Sequence, residues 1–310
     1  MSRMQPVVGG TETPDIPPAL FAMPPGMAIR YEQPDPVLAD YTTGYHLYAA
    51  SGPASIGMEN WFLPGTANVR VTLNAGPIAV WIGNRVFDPM PQASLCGPSS
   101  HALRTITNGG IMIGFGVSAL GWSRLFAGSA DLYADRIVPL ADAAPPGFAE
   151  RLVATLSAVE SEHGVKAALD AFLLAEMGPP GPDAALIRQI ARLVVNDAPG
   201  GLAQAAREWD ISPEVLRRIC RRHFGFLPKT LLIRARFLRS LIPLIESRGE
   251  IDYSTIDPAY FSASHFLRDA HAVLGTTPRR FLHEQLDFLV VSLRARAAVL
   301  GSATQALHRL

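Results

Sequence analysis

The stretch S-P-E-V-L-R-R-I-C-R-R-H-F-G-F-L-P, from Ser212 to Pro228, returns fifty residues later as S-A-S-H-F-L-R-D-A-H-A-V-L-G-T-T-P, from Ser262 to Pro278. Ser212 aligns with Ser262, Leu216 with Phe266, Arg218 with Arg268, Phe224 with Leu274, Gly225 with Gly275 and Pro228 with Pro278, without a gap. Each copy carries the punctuation of one short helix. Serine caps the orphan N–H groups at the start, glycine takes the left-handed turn at the end, and proline stops the chain from continuing. Large apolar residues at the fourth and twelfth positions past each cap, with a small one at the eighth, mark a single buried face. The remaining faces carry Glu214, Arg217, Arg218 and Arg221 in the first copy, and Ser264, Leu267, Arg268 and His271 in the second. A short helix with one buried and one polar or basic side, made twice, predicts paired helix-turn-helix units.

The flanking residues fit that prediction. Leu202, Ala203, Ala206 and Trp209 form an apolar stripe on a short helix, and Asp210-Ile211 leads into the Ser212 cap. Helix, short turn and second capped helix is the sequence form of a helix-turn-helix. Ahead of the second copy the same pattern is poorer, because Pro258 falls where the last turn of the first helix belongs. Between the copies, Pro228 to Ser247 reads as one long helix, with Leu231, Leu232, Ala235, Leu238, Leu241 and Ile242 at helical spacing. Its twenty residues span roughly 30 Å, close to the ~34 Å between successive major-groove openings on one side of B-DNA. Pro243 inside it predicts a kink.

Charge points to the same partner. The chain of 310 residues is neutral overall, with 27 basic and 27 acidic residues. Between Arg207 and Arg239, however, nine basic residues face only Glu208, Asp210 and Glu214, a local excess of six. Such a basic stretch in a neutral protein is the footprint expected of phosphate contacts. Its arginines favour bidentate contacts to guanine edges and phosphates.

With these residues in view, the segment from about Gly200 to Glu284 resembles the DNA-binding domain of AraC-type transcription regulators. The resemblance rests on L-A-Q-A-A-R-E-W-D-I-S-P-E-V-L-R-R in the first unit, and on A-Y-F-S-A-S-H-F-L-R-D with G-T-T-P-R-R-F in the second. The family's Gly-Phe and following Asp are Ala259, Tyr260 and Ser262 here, while Ser264, His265, Phe266 and Arg268 are retained. Cys220 and Ala270 stand where the family has phenylalanines, which should thin both cores. The resemblance implies DNA contacts from Ser212, Glu214, Arg217, Arg218, Arg221 and Arg222 in unit one. In unit two it implies contacts from Ala263, Ser264, His265 and Arg268. It implies double-stranded promoter or operator DNA as partner, with a small-molecule effector, RNA polymerase and a second copy of the chain as further candidates.

Residues 31–142 have a different texture. Strand-like runs at Tyr45–Ala49, Val69–Leu73, Ile78–Ile82 and Ile111–Val117 alternate with Gly and Pro turns, which predicts an antiparallel barrel or sandwich. W-F-L-P-G-T-A-N-V-R-V-T-L, L-C-G-P-S-S-H-A-L-R, G-G-I-M-I-G-F-G-V-S-A-L-G-W-S-R-L-F and D-R-I-V-P-L resemble the sensory-type domain ahead of some AraC-type DNA-binding domains, often a cupin-like barrel. From Pro146 to Asp197 the pattern is helical, broken at Gly178–Pro182, and reads as a connector with a possible dimer surface. The expected class is α+β, divided as a flexible segment 1–30, a β-rich sensory domain 31–142, a helical connector 143–198, the double helix-turn-helix 199–285 and a last amphipathic helix over 286–310.

Neither end reads as a signal peptide, and Gly109–Trp122, the most apolar run, is too short and glycine-rich to span a membrane. Cys96 and Cys220 argue against a disulfide framework and for a reducing, cytoplasmic setting. No catalytic, metal or cofactor site is expected. A cupin enzyme needs a His/Glu cluster, and residues 31–142 hold only His46 and His101, far apart. Trp61, Trp81, Trp122 and Phe115 suit a core. If the β-rich domain holds a ligand, Trp61, Arg70, Trp81 and Arg104 are the candidates, with the two arginines either holding an anion or forming surface ion pairs. Two functions stay open: a ligand- or partner-modulated transcription regulator, and a cupin-like small-molecule-binding protein or enzyme with a structural helical domain.

Overall fold

The strand A-N-V-R-V-T-L, β4 (Ala67–Leu73), shows how the β-rich half is built. Its period of two sends Ala67, Val69, Val71 and Leu73 to one face, where all are buried in the main core. Asn68 and Arg70 go to the other face and are buried as well. A strand covered on both sides must be central, and β4 pairs with β9 (Gly110–Val117) and β7 (Ala93–Cys96). The computed structural model describes residues 4–196, 201–247, 254, 256–284 and 286–309, with the side chain of Ala203 outside that set.

Adding β1 (Met27–Glu32), β2 (Thr42–Ala50) and β10 (Ile137–Pro139) completes an antiparallel six-stranded sheet in the order β1-β2-β9-β4-β7-β10. A second sheet of four strands runs β3 (Ile56–Phe62), β8 (Leu103–Asn108), β5 (Ala79–Ile82), β6 (Arg85–Phe87). The four expected strand runs all fall on strands of these two sheets. Between the sheets lie Ile78, Val80, Ile82, Met90, Leu103 and Met112.

The Tyr45, Val69, Leu95 and Phe115 face of the larger sheet is covered by helices α1 (Ala119–Leu125), α2 (Phe148–Ser157) and α3 (Gly164–Glu176) through Trp122, Leu125, Phe148, Leu152, Leu156, Leu169 and Leu173. The connector is helical as expected, and the Gly178–Pro182 break separates α3 from α4 (Ala184–Asn196). The apolar face of α4, Ile187, Ile190 and Val194, packs inside the chain on Leu120 and unit one. It is therefore occupied rather than presented to a second copy.

The C-terminal half begins with α5 (Gly201–Glu208) and α6 (Pro213–Ile219). The long helix α7 runs Pro228–Ser247 with Pro243 inside it. After it come α8 (Ala263–Leu274), α9 (Pro278–Leu282) and α10 (Asp287–Leu300). The last of these corrects an expectation. Only Asp287 and Arg294 of α10 are exposed, and its buried residues include the polar Ser292 and Arg296. Packed between β1, β3 and the second unit, it is an internal strap, not a surface amphipathic helix.

Candidate nucleic-acid interface

Unit one is a helix-turn-helix. Leu202 and Ala206 of α5 are buried, with Trp209 packed beside them. The chain then turns at Asp210, whose φ of 53° is left-handed. The Ser212 hydroxyl accepts from the Val215 N–H at 3.3 Å, the expected cap, with Pro213 in the first turn. Leu216, Ile219 and Cys220 are buried. Burial pushes the Cys220 thiol up to about 12, so it is an unreactive core group. Past Ile219 the helix widens to a π-turn over Cys220–Phe224, then stops at Gly225 with φ 82°. A Cβ there would press on Pro98 of the β-rich half, so glycine serves both the turn and the contact.

The opposite face carries Glu214, Arg217, Arg218, Arg221 and Arg222, all exposed. Glu214 and Arg217 pair along the helix at 3.0 Å, and Arg218 reaches Asp183 at 3.6 Å. Arg221 bonds Asp131 of the β-rich half at 2.7 Å. This face borders an open crevice whose far wall is Ala127, Ser129, Asp131 and Leu132.

Unit two follows the same plan. The Ser262 hydroxyl accepts from the His265 N–H at 3.3 Å, Phe266, Ala270, Val273 and Leu274 are buried, and Gly275 ends the helix at φ 71°. The helix expected ahead of it falls largely on residues outside the described set. Residues 256–261 form a turn in which the Tyr260 N–H donates to Asp257 O. Ala263, Ser264 and Arg268 are exposed. The His265 ring instead lies 3.2 Å from Arg236 and edge-on to Tyr260. Asp269, matched to Ile219 in unit one, is buried and takes bonds from Arg236 at 2.9 Å and Tyr260 at 2.8 Å. That triad fastens the second helix to α7.

Three of the nine cations of the basic stretch are consumed this way, which corrects the phosphate footprint. Arg236 bonds Asp269, and Arg239 bonds Asp257 at 2.8 Å. Arg234 is buried and donates to the carbonyls of Gly65 and Ser99, both at 2.9 Å. Burial brings its pKa down to about 10, so the group stays charged. These contacts were invisible in the sequence because their acceptors lie on distant elements.

Both units dock on the β-rich half. Besides Arg221–Asp131 and Gly225–Pro98, the Ala102 N–H donates to Val273 O at 2.8 Å, and Trp61 meets Phe281 edge-on at 5.3 Å. Trp61, a candidate ligand residue, therefore sits at this junction. Trp81 and Arg104 stack on each other at 4.1 Å, and Arg104 pairs with Glu59 at 2.8 Å. Arg70 stands apart from all three, buried on the other sheet. His46 and His101 are not brought together. Among the described residues no group of three His, Cys, Asp or Glu could hold a metal ion, and no helix is long and apolar enough to cross a membrane. Cys96 and Cys220 are both buried and free.

No family model matches the chain, and no curated protein matches it. Among solved structures it is similar to an apo ToxT variant from Vibrio cholerae, at 11% identity and TM-score 0.40, over 84% of this chain and 98% of that one. A structure of wild-type ToxT from Vibrio cholerae with bound unsaturated fatty acid is similar at 12% identity and TM-score 0.39, over 84% and 96%. The AraC-like transcriptional activator CuxR is similar at 16% identity and TM-score 0.25, over 69% and 86%.

Proposed function

We propose that the chain is a sequence-specific DNA-binding transcription regulator. In this reading residues 199–285 meet adjacent major grooves through α6 and α8, and the β-rich half tunes the contact through an effector or partner. The observation that carries the reading is the exposed face Glu214, Arg217, Arg218, Arg221 and Arg222 on a serine-capped helix whose other face is buried. The 20-residue α7 joins it to a second capped helix, and its length of roughly 30 Å suits a one-turn groove spacing.

Unit one supplies most of the binding. Glu214, Arg217 and Arg218 face the bases, and Arg221 and Arg222 lie nearer the backbone. Unit two offers Arg268 as its outward arginine. The Arg221–Asp131 contact must release for Arg221 to meet a duplex, which gives the β-rich half a direct hold on unit one. RNA polymerase and a second copy of the chain are the further partners such a regulator would meet.

Selection of duplexes from a random pool by the full chain tests the reading. Enrichment of a sequence with two contacted segments one helical turn apart is expected. Recovery of the unselected pool composition would overturn it.

A further inference from the structure

Across the larger sheet, Tyr31, His46, Gly114, Arg70 and Ser94 are successive cross-strand partners. Side chains paired in this way lie on one face. The row behind them, Tyr45, Phe115, Val69 and Leu95, is ordinary core. The first row is polar, yet Tyr31, His46, Arg70 and Ser94 are all at least nine-tenths buried. Gly114 leaves room between His46 and Arg70, because a Cβ there would approach the His46 ring and collide with Val69 O.

The strap helix α10 closes over this row. Ser292 bonds the Tyr31 hydroxyl at 2.7 Å, and Arg296 donates to the carbonyls of Thr43 and Ser302. Arg70 has less. Its Nε and Nη1 are buried without a hydrogen-bond partner, and its contact is the Phe62 ring at 5.0 Å. Among the described residues neither Arg70 nor Arg296 has an ion-pair partner.

Nothing nearby supplies the missing charge. Burial, reinforced by Arg70 and Arg296, holds His46 well below its ordinary pKa, so its ring is neutral. Burial raises the Tyr31 and Tyr48 phenols, which keep their protons. Two uncompensated guanidiniums therefore stand in the interior, an arrangement proteins avoid unless a counter-charge arrives. Between them lies a cavity of about 60 Å³, lined by Tyr31, Arg70, Cys96, Ser292, Arg296 and Gln305. That is room for about four water-sized groups, so the ligand it takes is small.

We propose that this cavity binds a small organic dianion, with Arg70 and Arg296 neutralising it and Tyr31 and Ser292 completing the donor set. Two fixed cations call for two negative charges. A dicarboxylate and a phosphate monoester both supply them on oxygens that suit the planar guanidinium fork. The site also has a route to the helical half. Gly65 and Ser99 line the cavity, and their carbonyls hold Arg234 of α7. The proposal deepens the effector-regulated reading and rests on it for that consequence alone.

The test is thermal unfolding of the full chain without DNA, at constant ionic strength. Succinate and glutarate probe the dicarboxylate, glycerol phosphate the phosphate ester, and butyrate and chloride serve as monoanion controls. A bound dianion at a hundredfold excess over its Kd should raise Tm by roughly 4 °C, and the monoanions should do much less. Arg70→Met should abolish the response. Its Tm without ligand should not fall below that of the wild type, because an unpaired buried charge is gone. Arg70→Lys keeps the charge but loses the fork, so its response should need about tenfold more ligand. The proposal is overturned if no dianion exceeds chloride, if Arg70→Met keeps the response, or if Arg70→Met lowers the ligand-free Tm. Because no DNA is present, none of these results touches the DNA-binding reading.

Discussion

Arg221, on the outer face of unit one, points both Nε and Nη2 at Oδ2 of Asp131 in the β-rich half, each at 2.7 Å. The arginine proposed to meet a DNA phosphate is thus held by a carboxylate ninety residues away in sequence. Release of Arg221 is the first step the account requires for duplex binding. Asp131→Asn should raise DNA affinity, and because Arg221 is exposed to solvent the gain is at most about fivefold. A titration of labelled duplex reads it. Unchanged or weaker binding would show that the contact does not restrain unit one.

Acid should open the same contact. Burial pushes the Asp131 carboxyl up, but bonds from Ser129 and Arg221 outweigh it and hold the group below the ordinary carboxylate value. A depressed carboxylate contributes stability above its unfolded pKa and loses it as pH falls through the folded one. Paired-state signals of the Arg221 side chain, followed by NMR, should therefore vanish on acidification and stay constant above the ordinary carboxylate range. Loss on the alkaline side would contradict this.

The two units should contribute unequally. Unit one exposes Arg217, Arg218, Arg221 and Arg222, whereas the outer face of α8 exposes Arg268 and turns His265 toward Arg236. Arg217→Ala should cost about 1–3 kcal/mol on the selected site and relax preference at one base pair. Arg268→Ala should weaken binding modestly, with a smaller change in salt slope. An equal loss from Arg268→Ala would mean two full-strength contacts.

The buried Asp269 holds α8 to α7 through Arg236 and Tyr260. Asp269→Ala leaves a cation without its partner, and the expected loss is about 3 kcal/mol in urea denaturation. A loss below 1 kcal/mol, about the value of an exposed pair, would show that the triad does not fasten the helix.

Much of the C-terminal half was legible because its signals are local. Ser212, Ser262, Gly225 and Gly275 mark helix ends through their own backbone chemistry, and Pro228–Ser247 coincides with α7. The strand runs were legible for the same reason. Long-range pairing was not. Nothing near Arg234 tells that it will be buried against Gly65 and Ser99 rather than stand exposed with the other cations of the basic stretch. Of Trp61, Arg70, Trp81 and Arg104, only Arg70 lines the polar cavity. Its partner Arg296 is 226 residues further on, in a helix whose pattern suggested a polar outer face. Cross-strand register, which gathers Tyr31, His46, Arg70 and Ser94 in one row, is a property of pairing that no single strand displays.

The measurement that bears most directly on the account is the affinity of the full chain for its selected duplex over a salt series, with Arg217→Ala and Arg222→Ala alongside. Arg221 and Arg222 of unit one with Arg268 of unit two, as the phosphate-facing cations, predict a log–log slope of roughly −3, and each substitution of one of them should reduce it by about 1. Arg222→Ala should weaken all sequences alike, whereas Arg217→Ala should weaken the selected one most. Binding that is absent, independent of salt, or unmoved by either substitution would contradict the claim that this face of α6 meets DNA.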